Sequence, residues 1–293
     1  MKQIIITGVP EHFNFPWLKV IEDQPFLSEG IELVWRNEPK GSGPMNKAIR
    51  EESTDLAIIL TESFIKDRVE GNTGKIIGWY VHSPLIWGVH VAAQASPRDL
   101  SDIKSPSFLI SRFGSGSHLM AFLLAKREGW NPHFLKFTEI GDLEGAKKAI
   151  THDTPQMFLW EKFTTKPLVD SGLFKRIGEI PTPWPCFVLV ASKSALEHHH
   201  QIIAKLRDMV YEKAKDLFLE RNSTKALSEY YSIQEKDIKS WLKNTRWAED
   251  NCIKEEEISM VYKALSDLEI ISKSATTKPS DFVASDLVNW IKS

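Results

Sequence analysis

The chain has 293 residues, 42% hydrophobic and 26% charged, with a formal net charge of −2. That is the balance of a globular protein with enough length for two lobes, and it argues against a nucleic-acid binder, which would carry a basic stripe. Cys186 and Cys252 are the two cysteines and lie far apart, so no disulfide framework or zinc-ligand spacing exists, and no run of about 18 apolar residues is present to span a membrane.

Met1-Lys2-Gln3 leads straight into Ile4-Ile5-Ile6. A secretory leader would need a longer apolar stretch and a small-residue cleavage site first. The expectation is therefore a cytoplasmic protein, with a periplasmic or lipid-anchored one as the alternative if a leader has been removed.

The first strand, Gln3–Thr7, ends in Gly8-Val9-Pro10-Glu11-His12. A helical period follows over Phe15–Glu22, then a strand at Ile31–Trp35, the loop Lys40–Met45, a helix at Met45–Glu51, and a strand at Asp55–Leu60 ending in Thr61-Glu62. This β–α–β–α–β order predicts a parallel sheet covered by helices. Ligands of such sheets bind beyond the carboxyl ends of the strands, where the loops Gly8–His12, Arg36–Met45 and Thr61–Ser63 fall.

Strand patterns at Gly74–His82 and Gly88–Ala93 come next, and then the order repeats. Pro97–Ile103 reads as a short helix and Ser107–Ser111 as a strand. The segment Ser111-Arg-Phe-Gly-Ser-Gly-Ser-His118 then opens a helix over Leu119–Glu128. Its glycines permit a tight turn and close approach, its serines and Arg112 supply donors, and the helix start favours an anion. Neither the dinucleotide fingerprint nor a Gly-Lys-Ser/Thr phosphate loop is present.

Beyond this cradle, a strand is expected at His133–Ile140, a helix at Leu143–Thr151, a strand at Gln156–Trp160 and mostly helix over Lys162–Gly172. A strand at Lys175–Ile180, the stiff link Pro181-Thr-Pro-Trp-Pro185 and a strand at Phe187–Ala191 complete the second half. Everything after Ser194 reads helical: to about Arg221, then Thr224–Tyr231, Gln234–Trp247, Glu255–Leu268 and Ser280–Ile291, with a surface loop at Ser272–Pro279. This tail has no predicted sheet of its own and is expected to pack on the first lobe. Crossings between lobes are expected near Val89–Ala93 and Pro185–Val190, and two crossings permit hinge closure on a ligand.

Gly41-Ser-Gly-Pro-Met45, Asp55-Leu-Ala-Ile-Ile-Leu-Thr-Glu62 and Ser111–His118 together make the chain resemble the type II periplasmic substrate-binding proteins. The likeness is strongest to the branch of alkanesulfonate, nitrate and thiamine-precursor binders and fungal pyrimidine-precursor synthases. Phe158-Leu-Trp-Glu-Lys-Phe-Thr-Thr165 and Pro183-Trp-Pro185 match a narrower subgroup without a secretion signal. The resemblance covers nearly the whole chain in order. It implies an α/β fold of two parallel-type lobes joined by two crossovers, with residues 1–92 and 188–293 as lobe I, 93–187 as lobe II, and the helical C-terminal tail on lobe I.

It also implies a cleft lined in the first lobe by Glu11, His12, Gly43, Pro44, Met45, Thr61 and Glu62. The second lobe adds Ser111, Arg112, Ser115, Gly116, Ser117, His118, Trp160 and Glu161, with Trp184 at a crossing. His118 is expected to contact a bound anion. Glu161 and Glu62 can each accept from a ligand, and Glu161 equally can pair with Arg112 or cap a helix. Trp87, Trp160 and Trp184 are flat enough to stack on a ligand, though ten tryptophans mean that most pack in the core. His198-His199-His200 point about 100° apart on a helix and are read as solvated rather than metal-binding.

No nucleophile–base pattern or His-Glu-x-x-His motif appears. The fungal synthases use pyridoxal phosphate and iron through lysine and histidine residues that have no counterpart placed here, so no catalytic residue, cofactor or metal is expected. The expected function is solute binding, with a small anionic or heteroaromatic metabolite as partner. The alternative is a cytoplasmic enzyme acting on a thiamine-pyrimidine-type precursor, which would need a cleft lysine for a Schiff base, with Lys47 and Lys162 the nearest.

Overall fold

The computed structural model describes residues 1–150, 156–220, 222–272 and 277–292. The first lobe is built from β1 (Lys2–Gly8), α1 (Phe15–Asp23), β2 (Ile31–Asn37), α2 (Ser42–Arg50), β3 (Leu56–Leu60), α3 (Thr61–Val69) and β4 (Lys75–Val81). The second contains β5 (Ile86–Ala92), β6 (Ser107–Ile110), α4 (Gly116–Glu128), β7 (Lys136–Glu139), α5 (Leu143–Ala149), β8 (Met157–Glu161), α6 (Lys166–Asp170) and β9 (Phe174–Pro181). The chain then returns through β10 (Phe187–Ala191) to α7 (Lys193–Leu219), α8 (Ser223–Tyr231), α9 (Glu235–Asn244), β11 (Cys252–Lys254), α10 (Glu255–Asp267) and β12 (Asn289–Ile291).

The sheets run β2-β1-β3-β10-β4 and β7-β6-β8-β5-β9. Both are mixed rather than parallel-type. In each, a strand delivered from the other lobe inserts antiparallel next to the edge: β10 between β3 and β4, and β5 between β8 and β9. The reason is geometric, because a strand entering from the cleft begins at the carboxyl ends of the parallel strands. Phe187 starts β10 opposite Leu60, and Trp87 lies opposite Glu161.

This also moves the first crossing from the expected Val89–Ala93 to residues 82–85, since β5 already belongs to the second sheet. The two crossings are bonded together: Leu85 N–H donates to Thr182 Oγ1 (3.0 Å), Thr182 N–H to Leu85 O (2.9 Å) and Cys186 N–H to Val81 O (3.1 Å). His82 N–H donates to Arg246 O at 2.8 Å, which ties the hinge to the tail.

The tail packs on the first lobe. Tyr211 Oη–H donates to Trp79 O (2.6 Å), Arg207 to Ile77 O (3.0 Å) and Trp247 Nε1–H to Phe13 O (3.0 Å). It is not wholly helical, however. β11 and β12 form a parallel two-stranded ribbon, and the expected helix Ser280–Ile291 is a 3-10 turn (Pro279–Phe282) followed by β12. Pairing with β11 supplies the backbone partners that a helix would otherwise provide.

Three other expectations change. α3 follows β3 without a loop, Pro97–Ile103 holds only a 3-10 turn at Leu100–Asp102, and Lys162–Gly172 is helical only over α6. Thr151, Arg221 and residues 273–276 of the loop Ser272–Pro279 lie outside the described residues. In the histidine triplet, His199 has non-helical backbone angles and His200 Nε2 pairs with Asp286 at 2.7 Å.

Candidate functional site

Strand ends from both lobes meet around one partly open space of about 60 Å³, room for a few waters. Val9, Glu11, Gly41, Ser42 and Leu60 line it from the first lobe, and Ser111, Arg112, Ser115–Ser117, Trp160 and Glu161 from the second. Leu85, Trp87 and Phe187 close it on the hinge side. The lobes touch where side chains are absent. A Cβ on Gly43 would overlap the Arg112 guanidinium, and one on Gly116 would lie 2.8 Å from Leu60 Cδ1 and 3.3 Å from Glu62 Oε1.

The second-lobe cradle uses most of its polar atoms to hold its own shape. Ser117 Oγ accepts from Ser111 N–H (3.0 Å) and shares a hydrogen bond with Ser115 Oγ (3.0 Å), while Ser115 Oγ accepts from His118 N–H (3.3 Å). Gly114 N–H donates to His118 Nδ1 (3.0 Å) and Phe113 N–H to Glu139 Oε1 (2.8 Å). The leading N–H groups of α4 have no intrahelical acceptor, and Ser115 takes only the one at His118. Arg112 has no hydrogen bond or ion pair among the described residues. Burial lowers its guanidinium pKa, and the charges of Asp67 and Glu139 oppose that shift.

The acidic groups come from both lobes, Glu11 and Glu62 from the first and Glu161 from the second. Burial pushes the Glu11 carboxyl up to about 8, helped by the charge of Glu161, and no hydrogen bond holds it among the described residues. Glu161 is raised to about 7 by burial, against the pull of its hydrogen bonds. Its Oε2 accepts from Phe163 N–H (2.8 Å), Thr164 N–H (2.6 Å) and Thr164 Oγ1–H (2.9 Å). Glu62 is raised to about 7, again by burial, while its Oε2 accepts from Trp184 Nε1–H at 2.8 Å.

His12 Nε2 lies 3.8 Å from Glu161 Oε2. That is too long for a hydrogen bond, and burial depresses the imidazole to about 3, so a neutral imidazole faces the carboxyl and no ion pair forms. Three buried polar atoms here have no partner: His12 Nε2, Glu62 Oε1 and Trp87 Nε1.

Of the expected residues, Glu11, Ser111, Arg112, Ser115, Gly116, Ser117, Trp160 and Glu161 line the space. Gly43 and Pro44 lie instead in a groove on its outer side, with Arg112 reaching both. Met45 is buried in the core. Thr61 Oγ1–H donates to Pro185 O at 2.6 Å, which ties β3 to the second crossing. Glu62, His12 and Trp184 stand one layer behind the wall. His118 turns from the expected anion contact into an aromatic cluster, with its ring centroid 4.7 Å from Phe137 and 4.9 Å from Phe122. Lys40, Leu85 and Phe187 also line the space, and among these the pairing of Phe187 with Leu60 is visible only once β10 is in the sheet. Lys47 and Lys162 pair with Glu51 (3.7 Å) and Glu179 (2.7 Å). Among the described residues, no three His, Cys, Asp or Glu side chains are grouped to hold a metal ion.

Residues 87–180 match the family model described as Ca3427-like PBP. The Candida albicans CA3427 gene product, whose structure carries the generic periplasmic binding protein fold, superposes with a TM-score of 0.83 at 25% identity, over 94% of this chain and 92% of that one. The chain has the two-lobed type II periplasmic-binding-protein fold, and the match and the superposition support a relationship to that family. Two bacterial structures share the family fold. The alkanesulfonate-binding protein SsuA from Xanthomonas axonopodis pv. citri, bound to MOPS, has a TM-score of 0.75 at 13% identity over 100% and 99% of the two chains. The ligand-binding component of an ABC-type import system from Staphylococcus aureus, with zinc bound, has a TM-score of 0.74 at 15% identity over 98% of each. No curated protein sequence matches this chain significantly. Among the described residues, no helix is long and apolar enough to cross a membrane.

Proposed function

We propose that this chain captures a small anionic or heteroaromatic metabolite between its lobes and closes over it. The observation that carries this reading is the space walled by both lobes, with an unpaired guanidinium (Arg112) and an unpartnered indole N–H (Trp87) facing it or directly behind its surface. Buried polar groups are normally satisfied, so unsatisfied ones around a cavity are what a bound molecule would complete. Arg112 and the free N–H groups of α4 suit an anionic group. Trp160, stacked on Phe158 with centroids 5.4 Å apart, offers a fixed aromatic face. The small volume between the lobes supports opening and closure by rotation about the paired crossings, because a metabolite needs more room to enter than the space now offers. The alkanesulfonate-binding and import-component relatives are consistent with such a role.

A thermal-shift panel of sulfonates, phosphates, thiamine precursors and pyridoxal phosphate, followed by calorimetric titration of each hit, tests the proposal. Saturable binding weakened by Arg112→Ala is the expected result. Hits whose affinity is unchanged in Arg112→Ala would remove the anion assignment, and an absence of hits would remove capture itself.

A further inference from the structure

Resting on that reading, we infer that the captured molecule carries a cationic nitrogen group, an ammonium or amidinium, which the carboxyl groups of Glu11 and Glu161 receive in the space that Arg112 also lines. The arrangement is one of presentation. Glu161 is anchored through Oε2 by three donors, and Glu62 through Oε2 by Trp184, so the other oxygen of each is left uncommitted. Glu11 offers both oxygens. Glu11 and Glu161 line the space directly, and Glu62, 2% exposed with an unpartnered Oε1, stands immediately behind Gly116.

Of the cations nearby, Lys40 lines the space as an exposed side chain and Arg112 is assigned to the anionic group. Lys162 is paired with Glu179, and His12 is held neutral by burial among Phe13 and Trp241, with ring centroids at 4.9 and 4.3 Å. Burial pushes the Cys186 thiol up, and the charges of Glu62, Glu161 and Glu11 add to that shift. Carboxyl groups are seldom buried without a partner. Glu62 and Glu161 are buried and Glu11 is half-buried, each keeps an oxygen without a partner among the described residues, and a bound donor completes them.

The groups facing Glu11 are Glu161 and the Tyr231 hydroxyl. Those facing Glu161 are His12, Lys162 and Thr164, and those facing Glu62 are Trp184 and Cys186. Only Lys162 among them brings a positive charge. A nitrogen cation would therefore displace the protons that Glu11 and Glu161 hold near neutral pH, and its binding would release protons to the buffer.

The test uses matched probes, 4-(aminomethyl)benzenesulfonate against 4-methylbenzenesulfonate and 4-(aminomethyl)benzoate against 4-methylbenzoate, titrated into the full chain at pH 7. The amino member of a pair is expected to bind at least tenfold tighter, with an enthalpy that varies between buffers of different ionisation heat. Glu11→Gln should remove most of that advantage while leaving the methyl member unchanged. Because Gln can distort the site, the free protein supplies a second readout. Glu11→Gln should raise the melting temperature at pH 8 relative to wild type and leave it nearly unchanged at pH 5. Equal or tighter binding of the methyl members, or a Glu11→Gln protein less stable at both pH values, would overturn the inference. In the first case capture stands and only the carboxylate assignment fails. If the broader panel gives no hit, capture itself fails.

Discussion

The two loops that face each other across the cleft treat their polar atoms in opposite ways. Ser111–His118 is dense in hydroxyls, yet Ser111, Ser115, Ser117 and His118 bond one another, and only Arg112 and the leading N–H groups of α4 remain for a ligand. The Val9–His12 loop has few polar atoms, but its Glu11 carboxyl faces the space between the lobes without a partner, beside His12 with its bare Nε2. A high count of donors in a turn reports how the turn is held. An unmet polar atom under low solvent exposure reports what the site is waiting for.

The largest effect that separates the two loops is on stability against pH. Burial raises the carboxyls of Glu11, Glu62 and Glu161 to about 8, 7 and 7 in the folded chain from the usual 4.5, so between those values the folded chain holds more protons than the unfolded one. Their contribution is full below pH 4.5 and is lost as the pH rises through 7 to 8. His12 and His90 run the other way: lowered from 6.5 to about 3 and about 4, they contribute stability above pH 6.5 that is lost as the pH falls through those values. Above 6.5 the histidines no longer offset the carboxyls, so chemical denaturation should show the steepest loss between pH 6.5 and 8. A flat profile there would mean that these carboxyls are solvated.

Next in size, Arg112→Ala is expected to weaken ligand binding by about 1.5 to 3 kcal/mol, the range for a charge-assisted hydrogen bond, while leaving the melting temperature almost unmoved. Ser115→Ala should do the reverse. It removes the N-cap of α4 and should destabilise the fold by about 1 kcal/mol, with affinity changed less than about twofold, because its hydroxyl serves the turn. The smallest effect is expected for His118→Phe, since its ring packs in the Phe122 and Phe137 cluster. A marked loss of affinity in that variant would return His118 to the ligand.

Much of the fold was legible because strand signals were strong. Ile4-Ile5-Ile6, Leu56–Leu60 and Phe187–Ala191 are apolar runs bounded by turn residues, and all became strands. α3 was missed because Thr61–Val69 has only Phe64, Ile65 and Val69 as apolar residues and begins with no loop after β3. β12 was read as helix because a three-residue strand has no period to detect, and its partner β11 lies far upstream in sequence. The inserted strands β5 and β10 follow the same logic, since their direction depends on a partner sheet rather than on their own residues.

For the site, parallel order placed strand-end loops at one edge, which brought Glu11, Arg112, Gly116 and Glu161 together. What composition could not reveal was which polar atoms are already satisfied. Ser117 and Glu11 look equally able to bind until Ser111 N–H is seen on one and nothing on the other. Trp184 is comparable: at the crossing its indole orients Glu62 instead of facing the space.

The measurement that bears most directly on capture between the lobes is native mass spectrometry of the gently purified protein, wild type beside Arg112→Ala. A small bound mass retained by the wild type and missing from the variant is the predicted result. Two bare chains of unmodified mass, with no stabilisation by any compound of the panel, would contradict it.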